Sequence, residues 1–309
     1  MKKETPLKKP RGYLSQSNKG QAPGSQTLAT LPDSCLNLLS PELKKKILTL
    51  DQTPHLPDWP INTRGVPNLC LRSALFGVIK RGRRKAVKGE TVTAVRTIDI
   101  RYTGWKLDQG DFDVLAQTLH LQTHHSKKSS EKYIRFQIKS FLRAIGRQPG
   151  KSGRMWLKDS LRRLTATTIE INIEAHQSSM NEKNTYAGSL VDEFLYNNQA
   201  QTYFLKINPH LAVLFDAGWT QLQWQQRLQL KSDLAKWLHG FYASHREPFP
   251  MKVETLKHLC GSECKRLTDY RRSLRLAMAE LVNVQAIHSW QIDDTDKLHV
   301  KRFSPRQCS

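Results

Sequence analysis

The residues best placed to act on a partner lie in ECKRLTDYRRSLRLAMAELVN (263–283). With Leu274 at zero on a wheel of about 100° per residue, Leu267, Tyr270, Ala277, Met278 and Leu281 gather around it and read as a core face. Lys265, Thr268, Arg272 and Arg275 fall on the opposite half. Arginine offers paired donors that match the O6 and N7 of guanine, and both cations neutralise phosphates, so this pattern suits a helix in a DNA major groove. A basic helix face is ordinarily just solvated. Here a short helix (251–261) precedes it, Gly261-Ser262 makes the turn and AIHSWQIDDTDKLHVKRF (286–303) follows as a hairpin, which together read as a helix-turn-helix with a wing.

A weaker second candidate is the helix 152–166. With Leu161 inward, Lys158, Arg162 and Arg163 point out, and Met155 and Trp156 fall on the same side. A wing near 174–188 and the basic run 80–88, with Arg83, Arg84 and Lys85, are candidates for backbone or minor-groove contacts.

Other chemical signals are weaker. Gly146-Arg147-Gln148-Pro149-Gly150-Lys151-Ser152 imitates a phosphate loop, but has three residues between its glycines where four are needed, and follows a helix where a strand is needed. It reads as the turn of the first helix-turn-helix. His120, His124 and His125 lack an acidic or cysteine partner at metal-like spacing, and Asp293, Asp294 and Asp296 suit a hairpin turn. Cys260 and Cys264 have no matching second pair. No metal, cofactor or enzymatic role is expected.

The 309 residues carry a net charge of +22, from 49 Lys+Arg against 27 Asp+Glu. Such basicity points to a polyanionic partner. Residues 1–28 and 80–96 supply half of it; the rest lies in segments that look folded, so this is not only a tail effect. No secretory signal or membrane span is visible, since LFGVI (75–79) and LAVLF (211–215) are the longest apolar runs. Five irregularly spaced cysteines fit reduced thiols in a cytoplasm.

These motifs must be positioned by an α+β architecture of tandem winged-helix domains behind a disordered basic N-terminal segment. Residues 1–65 read as tail and proline-rich linker, with a helix or two over 34–49. Residues 66–208 read as the first winged helix, 209–303 as the second and 304–309 as a tail. The first is expected to contain a short helix 73–79, a strand 91–102, a helix from Asp108 or Asp111 to Leu121, helices 137–146 and 152–166, a strand 167–174, a loop 178–188 and strands 189–196 and 202–208. The second should contain a helix around HLAVLF, a helix 232–245 capped by Ser232 or Asp233, and the 251–303 elements, with Ser262 capping the helix 263–283.

The block Ser244–Ser262, SHREPFPMKVETLKHLCGS, closely resembles the TrfA family of plasmid replication initiators. RSALFGVI (72–79), YTG (102–104), FLRAIGR (141–147), LRRLTAT (161–167), LFDAGWT (214–220) and LAKWLHGFYASH (234–245) support it. The resemblance spans about residues 67–303. It implies two winged helices that bind direct repeats (iterons) in double-stranded DNA at a plasmid origin and open an adjacent AT-rich stretch as single strands. It also implies helicase loading, with host DnaA, the DnaB helicase and the sliding clamp as partners, and a monomer–dimer balance in which monomers act. Such a protein would be bacterial, cytoplasmic and plasmid- or nucleoid-associated. Lys265, Arg266, Arg271, Arg272 and Arg275 match the family's second recognition helix, and Arg154, Lys158, Arg162 and Arg163 the first. The nearest string to a clamp-binding pentapeptide is Gln221-Leu222-Gln223-Trp224. A repressor using the same winged helices without a replication role is the alternative.

Overall fold

The computed structural model describes residues 56–80, 82, 84–92, 94, 98–126, 133–174, 183–209 and 211–303. The expectations for 1–55, for 304–309 and for Arg83 lie outside the described residues.

The chain builds two hydrophobic cores. The first begins with β1 (Thr63–Pro67) and α1 (Asn68–Leu71), then β2 (Phe76–Gly77), β3 (Ala86–Val92), β4 (Ile98–Trp105) and β5 (Leu107–Asp108). It continues with α2 (Gln109–Ser126), β6 (Ile134–Gln137), α3 (Ile138–Ala144), α4 (Lys151–Thr165), β7 (Thr168–Glu174), β8 (Lys183–Ser189), β9 (Val191–Asn197) and β10 (Thr202–Ile207). Next come α5 (Leu211–Asp216), β11 (Trp219–Gln223) and α6 (Trp224–Gln229). The second core is built on α7 (Asp233–Ala243), β12 (Met251–Lys252), α8 (Val253–Leu259), α9 (Leu267–Asn283) and the wing β13 (Ser289–Ile292) and β14 (Lys297–Lys301).

In the first lobe the strands form an antiparallel sheet in the order β3-β4-β7-β8 and a smaller one, β6-β10-β9. Ile100, Tyr102, Ile169 and Ile171 turn inward from the larger sheet against Phe112 and Leu115 of α2 and Leu161 of α4. The start of α2 is fixed reciprocally: the Asp111 amide donates to Asp108 Oδ1 (2.9 Å) and the Asp108 amide to Asp111 Oδ2 (3.2 Å), a two-way cap at the helix start. In the second lobe the Ser232 hydroxyl accepts from the Ala235 amide (3.1 Å), as its capping position predicts, and Leu234, Trp237, Leu238 and Phe241 of α7 are buried.

Several sequence expectations change. Residues 73–79 form no helix; Phe76–Gly77 is a short strand parallel to β5, and the Val78 amide donates to the Cys260 carbonyl (2.8 Å). An apolar run this short satisfies helix or strand alike, and its neighbours decide. The expected strand 91–102 is instead the end of β3 and most of β4, with part of the basic run inside β3. The expected loop 178–188 contains β8, an edge strand whose polar, glycine-bearing sequence lacks an apolar alternation. α9 starts at Leu267, four residues later than read, because the Ser262 hydroxyl accepts from the nearby Cys264 amide (3.3 Å) and does not cap the helix. Leu211, Leu214, Phe215, Leu222 and Trp224 pack in the first core, past the boundary drawn at 208/209, and the second core begins at Leu230. β11 pairs antiparallel with β1, which closes the first lobe.

Two buried histidines make this packing pH-sensitive. The Trp59 indole donates to His120 Nδ1 (3.0 Å), so that nitrogen carries no proton, and burial holds His120 down to about 3. Burial likewise holds His239 down to about 3. Unfolded, each titrates near about 6.5, so the unfolded chain takes up protons first as pH falls. Stability is therefore held above about pH 6.5 and lost below it, by about 1.4 kcal/mol per pH unit for each histidine. Urea midpoints measured at pH 7 and pH 5 should fall accordingly; equal midpoints would contradict this.

Candidate nucleic-acid interface

Both helix-turn-helix units turn by the same device. α3 ends with Gly146 at φ +70°, whose amide donates to the Arg143 carbonyl (3.0 Å) while the Arg147 amide reaches the Leu142 carbonyl (2.8 Å). α8 ends with Gly261 at φ +61°, with the Gly261 amide on the His258 carbonyl (3.0 Å) and the Ser262 amide on the Lys257 carbonyl (3.1 Å). This is the paired-bond helix stop that a left-handed glycine permits. A β-carbon on Gly261 would also lie 2.9 Å from Ala74 Cβ. The phosphate-loop imitation of 146–152 is thus the turn between α3 and α4.

α9 buries Tyr270, Leu274, Ala277, Met278 and Leu281 and leaves Thr268, Arg272, Arg275 and Leu276 in solvent. Lys265, exposed, precedes the helix, and Arg266 is its N-cap residue, held by Asp269 (Nε–Oδ2, 2.9 Å). Among the described residues, Arg272 and Arg275 make no salt bridge. Arg271 differs: its Nε and Nη2 donate to Asp296 Oδ1 and Oδ2 (2.8 and 2.9 Å). That fork lowers the Asp296 carboxyl from its ordinary range and ties the wing turn to α9. The turn is braced again by Asp293, which accepts from the Thr295 and Lys297 amides (2.9 Å each) and sits 2.7 Å from His299 Nε2; these bonds hold its carboxyl well below the usual range.

In the first lobe the candidate cations are mostly engaged by neighbouring groups. Arg154 is exposed and donates to Gln201 Oε1 (3.0 Å), Lys158 is half-buried, and Arg162 pairs with Asp159 (3.1 Å). Arg163 turns inward to the buried Asp111 (Nη2–Oδ1, 2.7 Å), which also accepts from the Ser160 hydroxyl (2.6 Å). Arg84 turns to Asp108. Lys85 is exposed, 3.8 Å from Glu263.

Residues 39–302 match the sequence profile described as TrfA protein. The chain belongs to the TrfA family. It is 28% identical over 253 residues to the plasmid replication initiator protein TrfA of Escherichia coli, an alignment covering 79% of this chain and 63% of that protein. Its fold is similar to that of domains 2 and 3 of RctB, at a TM-score of 0.54 and 12% identity, covering 77% of this chain and 98% of the other. The Pi initiator protein in complex with iteron DNA overlaps less closely, at a TM-score of 0.45 and 14% identity over 63% of this chain and 95% of that one.

Within this TrfA-family chain Thr268, Arg272 and Arg275 lie on one outward side of α9, with the exposed Lys265 just before the helix, whereas Arg84, Arg163 and Arg271 hold other elements. Charge pattern alone could not separate these groups, because their carboxylate partners are 24 to 52 residues away in sequence. Leu222 and Trp224 of the clamp-like string are buried, so that string is core. Asp296 as the anchor of Arg271 was missed; its sequence signal was only membership of a turn.

Proposed function

We propose that this chain is a plasmid replication initiator that binds direct repeats in duplex DNA at an origin, opens an adjacent AT-rich stretch and helps load a helicase. The observation that carries the reading is α9: a buried apolar stripe backed by exposed Arg272 and Arg275, which make no salt bridge among the described residues, in a winged helix whose wing is tied to it by Arg271, in a chain of the TrfA family. α9 supplies the base readers and nearby cations the phosphate contacts. Lys265 and Arg266 flank its start. Arg154, Lys158, Arg162 and Lys85 supply the weaker first contact surface, while Arg84 and Arg163 act by positioning it. Self-association and contacts with host DnaA, the DnaB helicase and the clamp belong to the same reading, by family. Family membership favours initiation over a repressor role.

The test is protection mapping on DNA around the gene's own replication origin. Protection should fall on direct repeats roughly two helical turns apart beside an AT-rich stretch. Arg272→Ala and Arg275→Ala should each weaken binding by about 1–3 kcal/mol. A single protected palindrome over a promoter would favour the repressor, and unchanged binding by both variants would remove α9 from the interface.

A further inference from the structure

Each lobe's second helix-turn-helix helix presents one large apolar side chain to solvent among its cations: Met155 on α4, 59% exposed, and Leu276 on α9, 63% exposed. A lone exposed apolar residue is ordinary on a protein surface. Leu276 is set apart by where it stands. On α9, Arg272 and Leu276 lie about 20° to either side of the line opposite the buried Leu274, so they form its outermost ridge, with Thr268 one turn earlier. Four residues separate Arg272 from Leu276, a rise of about 6 Å, close to the span of two base pairs at about 3.4 Å each. The flanking side chains, Arg272 and Arg275, are cations without a salt bridge among the described residues, so the ridge as a whole is complementary to DNA and not to an apolar protein groove.

If Arg272 meets a base edge, Leu276 meets the edge about two base pairs along. In the major groove the apolar group available there is the C5-methyl of thymine. Resting on the duplex-binding reading above, we propose that Leu276 is a specificity-determining residue that selects a thymine by packing on its methyl group, about two base pairs from the base read by Arg272. Thr268, Arg272 and Leu276 then form a reading ridge of hydroxyl, guanidinium and isobutyl groups over about two turns.

The experiment compares the full chain with its Leu276→Ala variant on the duplex that the full chain retains from a random pool. Each thymine is replaced in turn by deoxyuridine, which removes only the methyl. One replacement should weaken the full chain's binding about fourfold, the effect of one apolar carbon withdrawn from water. Leu276→Ala should keep the circular dichroism and melting temperature of the parent, bind the thymine duplex about as weakly as the parent binds the uracil duplex, and be indifferent to the replacement. Indifference of the parent at every thymine overturns the assignment. So does an undiminished loss in Leu276→Ala at the same thymine, or a change in self-association with the thymine dependence intact. If Arg272→Ala still weakens duplex binding in those cases, the duplex-binding reading stands and only the role of Leu276 falls. Retention of no duplex at all would overturn the reading itself.

Discussion

Replacing Asp113 with Ala should destabilise the protein by about 3–5 kcal/mol, the loss expected when one partner of a buried charge cluster is removed. Asp113 lies in α2 of the first lobe. Its Oδ1 accepts from Arg227 Nε and its Oδ2 from Lys236 Nζ, both at 2.6 Å. Arg227, in the connecting α6, is fully buried; it also donates to Gln109 Oε1 (2.9 Å) and the Lys236 carbonyl (2.8 Å) and lies over the Phe112 ring. One carboxylate thus serves two cations, one of them on α7 of the second lobe. Without it the Arg227 charge stays out of water with only neutral acceptors. Domains are usually stable by about 5–15 kcal/mol, so the variant should sit near the edge of folding. Urea unfolding followed by tryptophan fluorescence measures this, with Lys236→Met as the milder comparison because Lys236 reaches solvent. A loss under about 1 kcal/mol for Asp113→Ala would mean the cluster does not hold the lobes.

The second large effect is on binding. With on the order of 6–10 phosphate contacts, affinity for the cognate duplex should fall about 10³–10⁵-fold between roughly 50 and 200 mM salt. The surface supports such a slope: Lys85, Arg154, Arg162, Lys265, Arg266, Arg272 and Arg275 are all exposed. The slope of log affinity against log salt, from fluorescence anisotropy on a labelled duplex, gives the contact number directly. A flat response would contradict a phosphate-dominated interface. Arg163→Ala should alter that slope less than Arg272→Ala, because Arg163 is already committed to Asp111.

The helices of both reading units could be drawn from sequence because their signals are local. The Ile138, Phe141, Leu142, Ile145 stripe, the Leu157, Leu161, Leu164 face and the wheel around Leu274 each need only periodicity, and all these residues are buried except Leu267, which is half-buried at the start of α9. Gly146 and Gly261 marked the turns because few other residues adopt their φ. What escaped depended on distant partners. Residues 73–79 take their shape from β5 and from the Cys260 carbonyl. β11 belongs to the first lobe because β1, far earlier in the chain, pairs with it. Arg84, Arg163 and Arg271 looked interchangeable with Arg272 until Asp108, Asp111 and Asp296 were placed beside them. Leu276 was not singled out from the sequence, and its exposure is visible only once α9 is packed.

Initiation at a plasmid origin can be read out by transformation. An origin fragment joined to a selectable marker enters a host that cannot otherwise replicate it, with or without this gene supplied in trans. Initiation predicts colonies carrying the autonomous fragment only when the gene is present, and far fewer with Arg272→Ala. Equal recovery with and without the gene would contradict it.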